Sequence, residues 1–193
     1  MAKDSFKVLN MLNMRYVIVP DQKNQAQTMA IQNPFAFGPC WLVKDIKYVE
    51  SADDEILSLG KVDLKTTAVI NQKYKGDIQQ FQYDSTANIK LLSCLPNHLV
   101  YKSKSASPQV AVFSEIYYPK GWNAYIDGNK VPYFCANYAL RGLSVPAGEH
   151  TVEFRFEPQS YYIGEKISMA SSVLLILLLV GALSFAAYKK LKA

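Results

Sequence analysis

Few side chains in this sequence are of the types that do chemistry, and their spacing argues against most reactions. His98 and His150 are the two histidines, and neither has a cysteine or acidic cluster beside it at metal-ligand spacing. His150 follows Gly148-Glu149 at a hairpin entry, where a turn or strand-edge role is expected ahead of general-base work. Asp53, Asp54 and Glu55 imitate a metal-binding cluster. Preceded by Ser51, they read instead as a solvated helix start, with a serine cap and acids facing the positive end of the helix dipole. Cys40, Cys94 and Cys135 are widely spaced and odd in number, so at most one disulfide can form and no C-x-x-C site exists. Two readings stay open for them: buried small hydrophobes, or one disulfide in an oxidising compartment. There is no G-x-S-x-G, no phosphate-cradling glycine loop and no dinucleotide fingerprint. Paired carboxylates for glycoside hydrolysis need only meet in space, but Asp127 stands in an Asp-Gly turn that backbone geometry explains. We expect no catalytic residue, no metal and no cofactor.

What remains is aromatic. Tyr117, Tyr118, Trp122, Tyr125, Tyr133 and Tyr138 crowd into two hairpins. Aromatic faces stack on sugar rings, which makes Trp122, Tyr118 and Tyr125 the candidate ligand contacts. Large aromatics mostly fill cores, however, and packing is the favoured role for Trp122.

These residues sit on a β framework. Phe6, Leu9 and Leu12 recur at helical spacing and are followed by a short strand, RYVIVP, ending at Pro20. DQKNQAQT is polar and reads as a loop. WLVKDIKYVE (Trp41 to Glu50) is rich in β-formers. A short helix follows Ser51 and ends near Gly60, TTAVI is a strand, and YKGD turns at Gly76. From Asn88 the pattern becomes almost wholly β, with seven short segments: ANIKLLSCL, HLVYKSK, QVAVFSEIYY, GWNAYID, KVPYFCAN, ALRGLSV and HTVEFRFE. Turn residues separate them, among them Asp127-Gly128-Asn129 and Pro146-Ala147-Gly148. In the last segment Val152, Phe154 and Phe156 fall on one face, as in a strand buried on one side. The expected fold is mainly β: a two-sheet β-sandwich, jelly-roll-like, with a minor N-terminal α/β part and one C-terminal transmembrane helix. The expected division is an α/β segment over 1–87 packing on the sandwich, sandwich strands over 88–160, and the membrane helix with a short basic tail over 161–193.

The membrane reading rests on Ile167 to Tyr188, a charge-free, leucine-rich run of about 22 residues. A helix of that length spans the roughly 30 Å hydrocarbon core of a bilayer. Tyr161, Tyr162 and Tyr188 flank it at interfacial depth, and Lys189, Lys190 and Lys192 follow at once, which points the C-terminus to the cytoplasm. Residues 1–30 carry no apolar signal core to export the rest. Two arrangements reconcile these observations: a tail-anchored protein with its domain in the cytoplasm despite the basic tail, or, the favoured one, the last piece of a longer multi-span protein whose earlier helices export the domain. The 193 residues hold Lys+Arg 21 against Asp+Glu 16, a net charge of +5. Three of those cations belong to the tail, and the rest alternate with acids, so no nucleic-acid partner is expected.

YPKGWNAYIDG (Tyr118 to Gly128) followed by RGLSVPAGEHTVEFRFEP (Arg141 to Pro158) resembles the C-terminal region of the bacterial YfhO-like membrane protein family. LNMLNMRYVIVP and NPFAFGPCWLVKDI (Asn33 to Ile46) are similar to it as well. Members are multi-span proteins resembling lipid-phosphosugar-dependent glycosyltransferases of the envelope, with catalytic acids in an early extracytoplasmic loop. The resemblance therefore implies that no residue here inherits a catalytic role. It implies a non-catalytic extracytoplasmic domain and anchor that shapes the acceptor side of a membrane-embedded active site. The implied partners are the lipid bilayer, the remainder of a multi-span membrane protein, and an envelope glycan or lipid-linked sugar. The implied location is the bacterial inner (cytoplasmic) membrane, with a single C-terminal span and the domain facing the periplasm or cell exterior. The alternative reading is a membrane-anchored carbohydrate-binding or structural scaffold module.

Overall fold

A computed structural model of the protein describes residues 6–20 and 27–192. Most of the expected DQKNQAQT loop lies outside the described residues. The chain forms one compact unit ending at Phe156 and a second beginning at Glu157.

The first unit starts with α1 (Lys7–Met11) and the hairpin β1 (Tyr16–Pro20) and β2 (Thr28–Gln32), which among the described residues pair only with each other. There follow β3 (Cys40–Val43), β4 (Asp45–Val49), α2 (Ala52–Leu59) and β5 (Thr67–Asn71), then a 3-10 turn at Gln72–Asp77. The remaining strands are β6 (Asn88–Leu95), β7 (His98–Ser105), β8 (Gln109–Ile116), β9 (Trp122–Ile126), β10 (Asn129–Val131), β11 (Phe134–Ala136), β12 (Leu140–Val145) and β13 (Gly148–Phe156). One sheet has the order β3-β8-β12-β11-β5-β4 and the other β10-β9-β13-β7-β6. Residues before 88 thus supply three of the six strands in the first of these.

Two stretches that read as single strands are each divided. KVPYFCAN breaks at Pro132-Tyr133, so that β10 joins the five-stranded sheet and β11 the six-stranded one. Pro132 has no N–H to continue a ladder, which makes it a natural point for the chain to change sheets. WLVKDIKYVE breaks at Lys44, and its halves become the two opposite edge strands of the six-stranded sheet. Consecutive Cα atoms are about 3.8 Å apart, so the two edges must come together at Lys44. The sheet therefore curls back on itself. The Lys44 and Asp45 N–H groups both donate to the Thr66 carbonyl, at 2.7 and 3.1 Å, tying the junction to the start of β5.

The curl creates two cores. Along β8, Val110 and Val112 face one side and Ala111 and Phe113 the other, and all four are fully buried. The first side joins Trp41, Val43, Val69, Ile70, Phe134 and Leu140, closed by Met11 of α1, Leu59 of α2 and Leu64. The second side meets the five-stranded sheet through Leu99, Tyr101, Ala124, Val152 and Phe154. Tyr101, Phe113 and Phe154 pack edge to face, with centroids 4.7, 4.9 and 6.2 Å apart. This is the mainly β two-sheet arrangement the sequence pattern implies, with β4, α2 and the parallel partner β5 as its α/β element.

β11 and β5 share a single paired position, Ala136 with Ile70. The buried Asn137 extends that pairing with its side chain. Its Oδ1 accepts the Val69 N–H at 2.8 Å and its own N–H donates to the Val69 carbonyl at 2.7 Å. Gly142 stands opposite Phe134 in the adjacent ladder. A Cβ at Gly142 would lie 2.1 Å from the Phe134 ring, which is fully buried.

The second unit is α3 (Gln159–Lys192), 34 residues with no buried side chain. It is long and apolar enough to cross a membrane. Ser171 and Ser172 within it donate their hydroxyls to the Ile167 and Ser168 carbonyls at 2.9 Å, so neither brings an unsatisfied group into the apolar stretch.

The Phe134 contact yields a direct test. Gly142→Ala should destabilise the domain by about 1–3 kcal/mol through overpacking, measured by denaturant unfolding. A smaller ring at the partner, Phe134→Leu, should restore part of the loss in the double variant.

Candidate functional site

Arg141 shares strand parity with Leu143 and Val145, so the pleat of β12 aims it into the space between the sheets. It is only 3% exposed. Its guanidinium carbon lies 4.1 Å from the Trp122 ring centroid and 5.1 Å from that of Phe154. Arg141 Nε donates to the Ile116 carbonyl at 3.0 Å. That bond closes the bulge at which the β8–β12 register slips between Leu140 and Arg141. Arg141 Nη1 is buried without a partner, and so is the Tyr101 hydroxyl. Burial pulls the Arg141 pKa down, against the opposing influence of Glu115, Tyr133 and Tyr101. The group nonetheless stays a cation.

The three aromatic candidates do not form one platform. Trp122 is half-buried with its ring engaged, Arg141 above it and Phe156 at 5.4 Å in a tilted contact. Tyr118, in the loop between β8 and β9, is 50% exposed. Its carbonyl lies 3.1 Å from the Tyr133 hydroxyl, and the Trp122 carbonyl lies 3.3 Å from the same group, so Tyr133 pins both ends of the Pro119-Lys120-Gly121 turn. Burial pushes the Tyr133 pKa up to about 12. Gly121 belongs to the same packing: at φ +133° a Cβ there would sit 2.6 Å from the Phe156 ring. Tyr125 is an odd number of residues from Trp122 and lies on the opposite face of β9. There Arg155 covers its ring at 4.5 Å. The structure brings Trp122 and Tyr118 to one end of the sandwich and sends Tyr125 to the outer face.

Both histidines are engaged by carboxylates. His150 Nδ1 lies 2.6 Å from Asp127 Oδ2, and Nε2 lies 3.0 Å from the Ala147 carbonyl. An ionised carboxylate and a carbonyl only accept, so this arrangement is satisfied on both sides by the protonated imidazolium form of His150. Asp127 Oδ1 also accepts the Thr151 N–H at 2.8 Å. Asp127 and Gly128 have φ of +50° and +80°, the two-residue hairpin geometry in which both central residues are left-handed. The aspartate therefore ties its own turn across to β13. The hydrogen bond to Asp127 raises the His150 pKa from 6.5, and the bond from His150 lowers that of Asp127 from 3.8. At the other end of β13, His98 Nε2 lies 2.6 Å from Glu153 Oε2, and Arg155 donates to the same carboxylate at 3.0 Å. Burial pushes the Glu153 pKa up, but those two hydrogen bonds outweigh it and the net shift is downward.

Glu55 differs from its expected solvated role. Ser51 does cap α2, accepting the Asp54 N–H at 3.1 Å. Glu55, however, is only 5% exposed and faces the domain with Ser58 and Leu59. Its Oε1 accepts the Tyr138 N–H at 2.7 Å. Asn137 and Tyr138 have φ of +51° and +71°, a costly backbone for two non-glycine residues, and Glu55 holds them there. Burial raises the Glu55 pKa, opposed by the Tyr138 N–H and by Lys73. The helical spacing of Glu55 with Leu59 was the available sign of its burial. For Arg141 it was the shared parity with Leu143 and Val145.

The three cysteines are free thiols. Cys94 is exposed, while burial pushes the Cys40 and Cys135 pKa values up to about 12. Among the described residues no group of three His, Cys, Asp or Glu side chains is placed to hold a metal ion.

The family profile described as "Bacterial membrane protein YfhO" matches residues 51–168, more than half of the chain. The chain belongs to this family. No curated protein and no solved structure matches it. The match to YfhO runs from the cap of α2 into the first turns of α3. It therefore takes in Glu55, Tyr118, Trp122, Asp127, Arg141 and His150 together. The similar stretches at 9–20 and 33–46 lie outside it. What YfhO membership settles is a membrane protein with a β-rich domain and a transmembrane helix.

Trp122→Ala removes the aromatic lid from a buried cation as well as its own packing. The loss of stability should be about 3 kcal/mol, the low end for a core aromatic because the ring is half-buried. Thermal unfolding checks it. An unchanged melting temperature together with lost sugar binding would return Trp122 to the ligand contacts.

The His150–Asp127 staple predicts a pH profile. Because the folded pKa of His150 is raised, its contribution is full below about 6.5 and is lost as pH rises through the folded value. Because that of Asp127 is lowered, its contribution is present above about 3.8 and is lost as pH falls through the folded value. The staple is therefore strongest between those limits. The wild-type melting temperature should fall as pH rises from about 6 to about 9. Asp127→Asn, which keeps the turn, should flatten that slope.

Proposed function

We propose that this chain is the extracytoplasmic C-terminal domain and membrane anchor of a YfhO-like integral membrane protein, part of an envelope glycosyltransferase acting on cell-surface polymers or lipids. The domain is non-catalytic and helps shape the acceptor side of the membrane-embedded site. The observation that carries this reading is the continuity of a YfhO-matched sandwich with an unburied, membrane-length helix closed by Lys189, Lys190 and Lys192. By the positive-inside rule those lysines stay in the cytoplasm, which leaves the sandwich outside the bacterial inner membrane.

The polar groups support the non-catalytic role. A general base needs a free lone pair within reach of substrate, yet both nitrogens of His150 are committed to acceptors and Glu153 is held by His98 and Arg155. Cys40 and Cys135 are poor nucleophiles at their raised pKa values. One observation favours a scaffold contribution beside this reading. Among the described residues the β1–β2 ribbon pairs with no other strand and leaves Ile18 73% exposed, with Tyr16, Met29 and Ile31 also exposed. A two-stranded ribbon is marginal alone, and such a surface suits contact with the remainder of a multi-span membrane protein.

Cys94 offers a natural reporter of orientation, because it is exposed while the other two cysteines are half-buried. In intact cells a membrane-impermeant maleimide should label Cys94. In a Cys94→Ser background, a cysteine replacing Lys190 should label only after permeabilisation. The reverse pattern would place the sandwich in the cytoplasm and end the proposal. The purified chain should not turn over a polyprenyl-phosphate sugar. Turnover lost on Glu55→Gln or Glu153→Gln would show that the domain is catalytic after all.

A further inference from the structure

Buried charges in proteins are almost always paired, because leaving one unpaired in an apolar interior is costly. Arg141 breaks that rule. It is 3% exposed, it makes one hydrogen bond, from Nε to the Ile116 carbonyl, and its Nη1 is buried without a partner. No carboxylate is in ion-pair contact with it among the described residues. Glu115 is the carboxylate nearby that acts on it electrostatically, together with the hydroxyls of Tyr133 and Tyr101. The Tyr101 hydroxyl is itself buried and unpartnered. The guanidinium carbon lies over the Trp122 and Phe154 rings, and its Nε is used by the Ile116 carbonyl. Nη1 is left without a partner, and the Nη edge of a guanidinium offers two parallel N–H donors that fit a planar oxyanion.

We infer that Arg141 binds an oxyanion, a phosphate or carboxylate group of a ligand, at the end of the inter-sheet core beneath the Tyr118–Gly121 turn. Trp122 and Phe154 hold the guanidinium by cation–π contact, and the Ile116 carbonyl anchors its Nε. The buried, unpartnered Tyr101 hydroxyl, which acts on Arg141 electrostatically, is a further candidate donor. Trp122 on this reading is a positioning residue that holds the cation, not a stacking surface for the ligand. The inference does not depend on the glycosyltransferase reading, since it concerns an unpaired cation within the sandwich whichever way the domain faces.

The test uses the full chain in a non-ionic polyoxyethylene detergent. Melting temperature and tryptophan fluorescence are followed against inorganic phosphate and glucuronate, with sodium chloride at equal ionic strength and neutral glucose as controls. Phosphate or glucuronate should raise the melting temperature with the logarithm of its concentration, by roughly 2–4 °C per tenfold above the dissociation constant. Arg141→Met should abolish the response, and Arg141→Lys, a point charge without the fork, should weaken it about tenfold or more. Trp122→Phe should abolish the fluorescence change while the melting shift persists. Mixed micelles carrying phosphatidic acid separate the sources: a response there without one to soluble phosphate assigns the anion to a lipid headgroup, and the converse to a soluble ligand. No response of the wild type to any of these anions would overturn the inference, even if Arg141→Met failed to fold. Equal responses to chloride or glucose would overturn it too.

Discussion

The six-stranded sheet is apolar on both faces, and covering both of them shapes the rest of the domain. Val110 and Val112 of β8 need one cover, Ala111 and Phe113 another. The five-stranded sheet supplies the second, with aromatic rings of β7 and β13 packed edge to face against Phe113. Nothing comparable is available for the first, so the sheet covers itself. Lys44 alone separates its two edge strands, which forces the curl and places Trp41, Ile70 and Phe134 inside it. α1 and α2 then close the remaining gaps with Met11 and Leu59.

A sheet buried on both faces has little room for polar groups, and those it keeps are informative because each one is expensive. Asn137 and Glu55 hold their place with hydrogen bonds that stand in for missing ladder pairs and support a strained turn. Asp127 and His150 fasten the β9–β10 hairpin turn to the Pro146-Ala147 turn that carries the chain from β12 in one sheet to β13 in the other. Arg141 is different in kind. Its charge is stacked and half-satisfied, with one nitrogen idle in the interior. Asn137 Nδ2 and the Tyr101 hydroxyl are also buried without partners, but of these three residues Arg141 is the one that carries a charge, so its idle donor is where a ligand would change the energetics most.

Membership of the YfhO family and the apolar helix fix this as a membrane protein. The same family match covers the helix cap, the Trp122 hairpin and Arg141, so the polar insertions belong to the matched region, whereas the edge strands β3 and β4 that meet at Lys44 precede it. The geometry around Trp122 bears on how such a domain would meet sugars. Its ring is already engaged by a cation and by Phe156, whereas Tyr118 stands half-exposed on the neighbouring turn.

Local pattern determined much of this protein without help. Period-two alternation in Val152, Phe154 and Phe156 marked the final strand, Asp127-Gly128 marked a turn that only left-handed residues make, and the charge-free run after Ile167 marked the membrane helix. Each of these is a property of neighbouring residues: pleat, turn geometry, or helix length against bilayer thickness. The tertiary structure decided what depends on partners far along the chain. It alone showed that the strands either side of Lys44 go to opposite edges, because strand partnership leaves no local trace. It moved Glu55 from solvent to a buried turn contact 83 residues away, since the acids of a helix start look alike until one face is covered. It also separated Trp122 from Tyr125 and set Arg141 between the sheets. The parity of β12 carried that last fact in principle, but an arginine among apolar residues declares which way it points only once both sheets are in place.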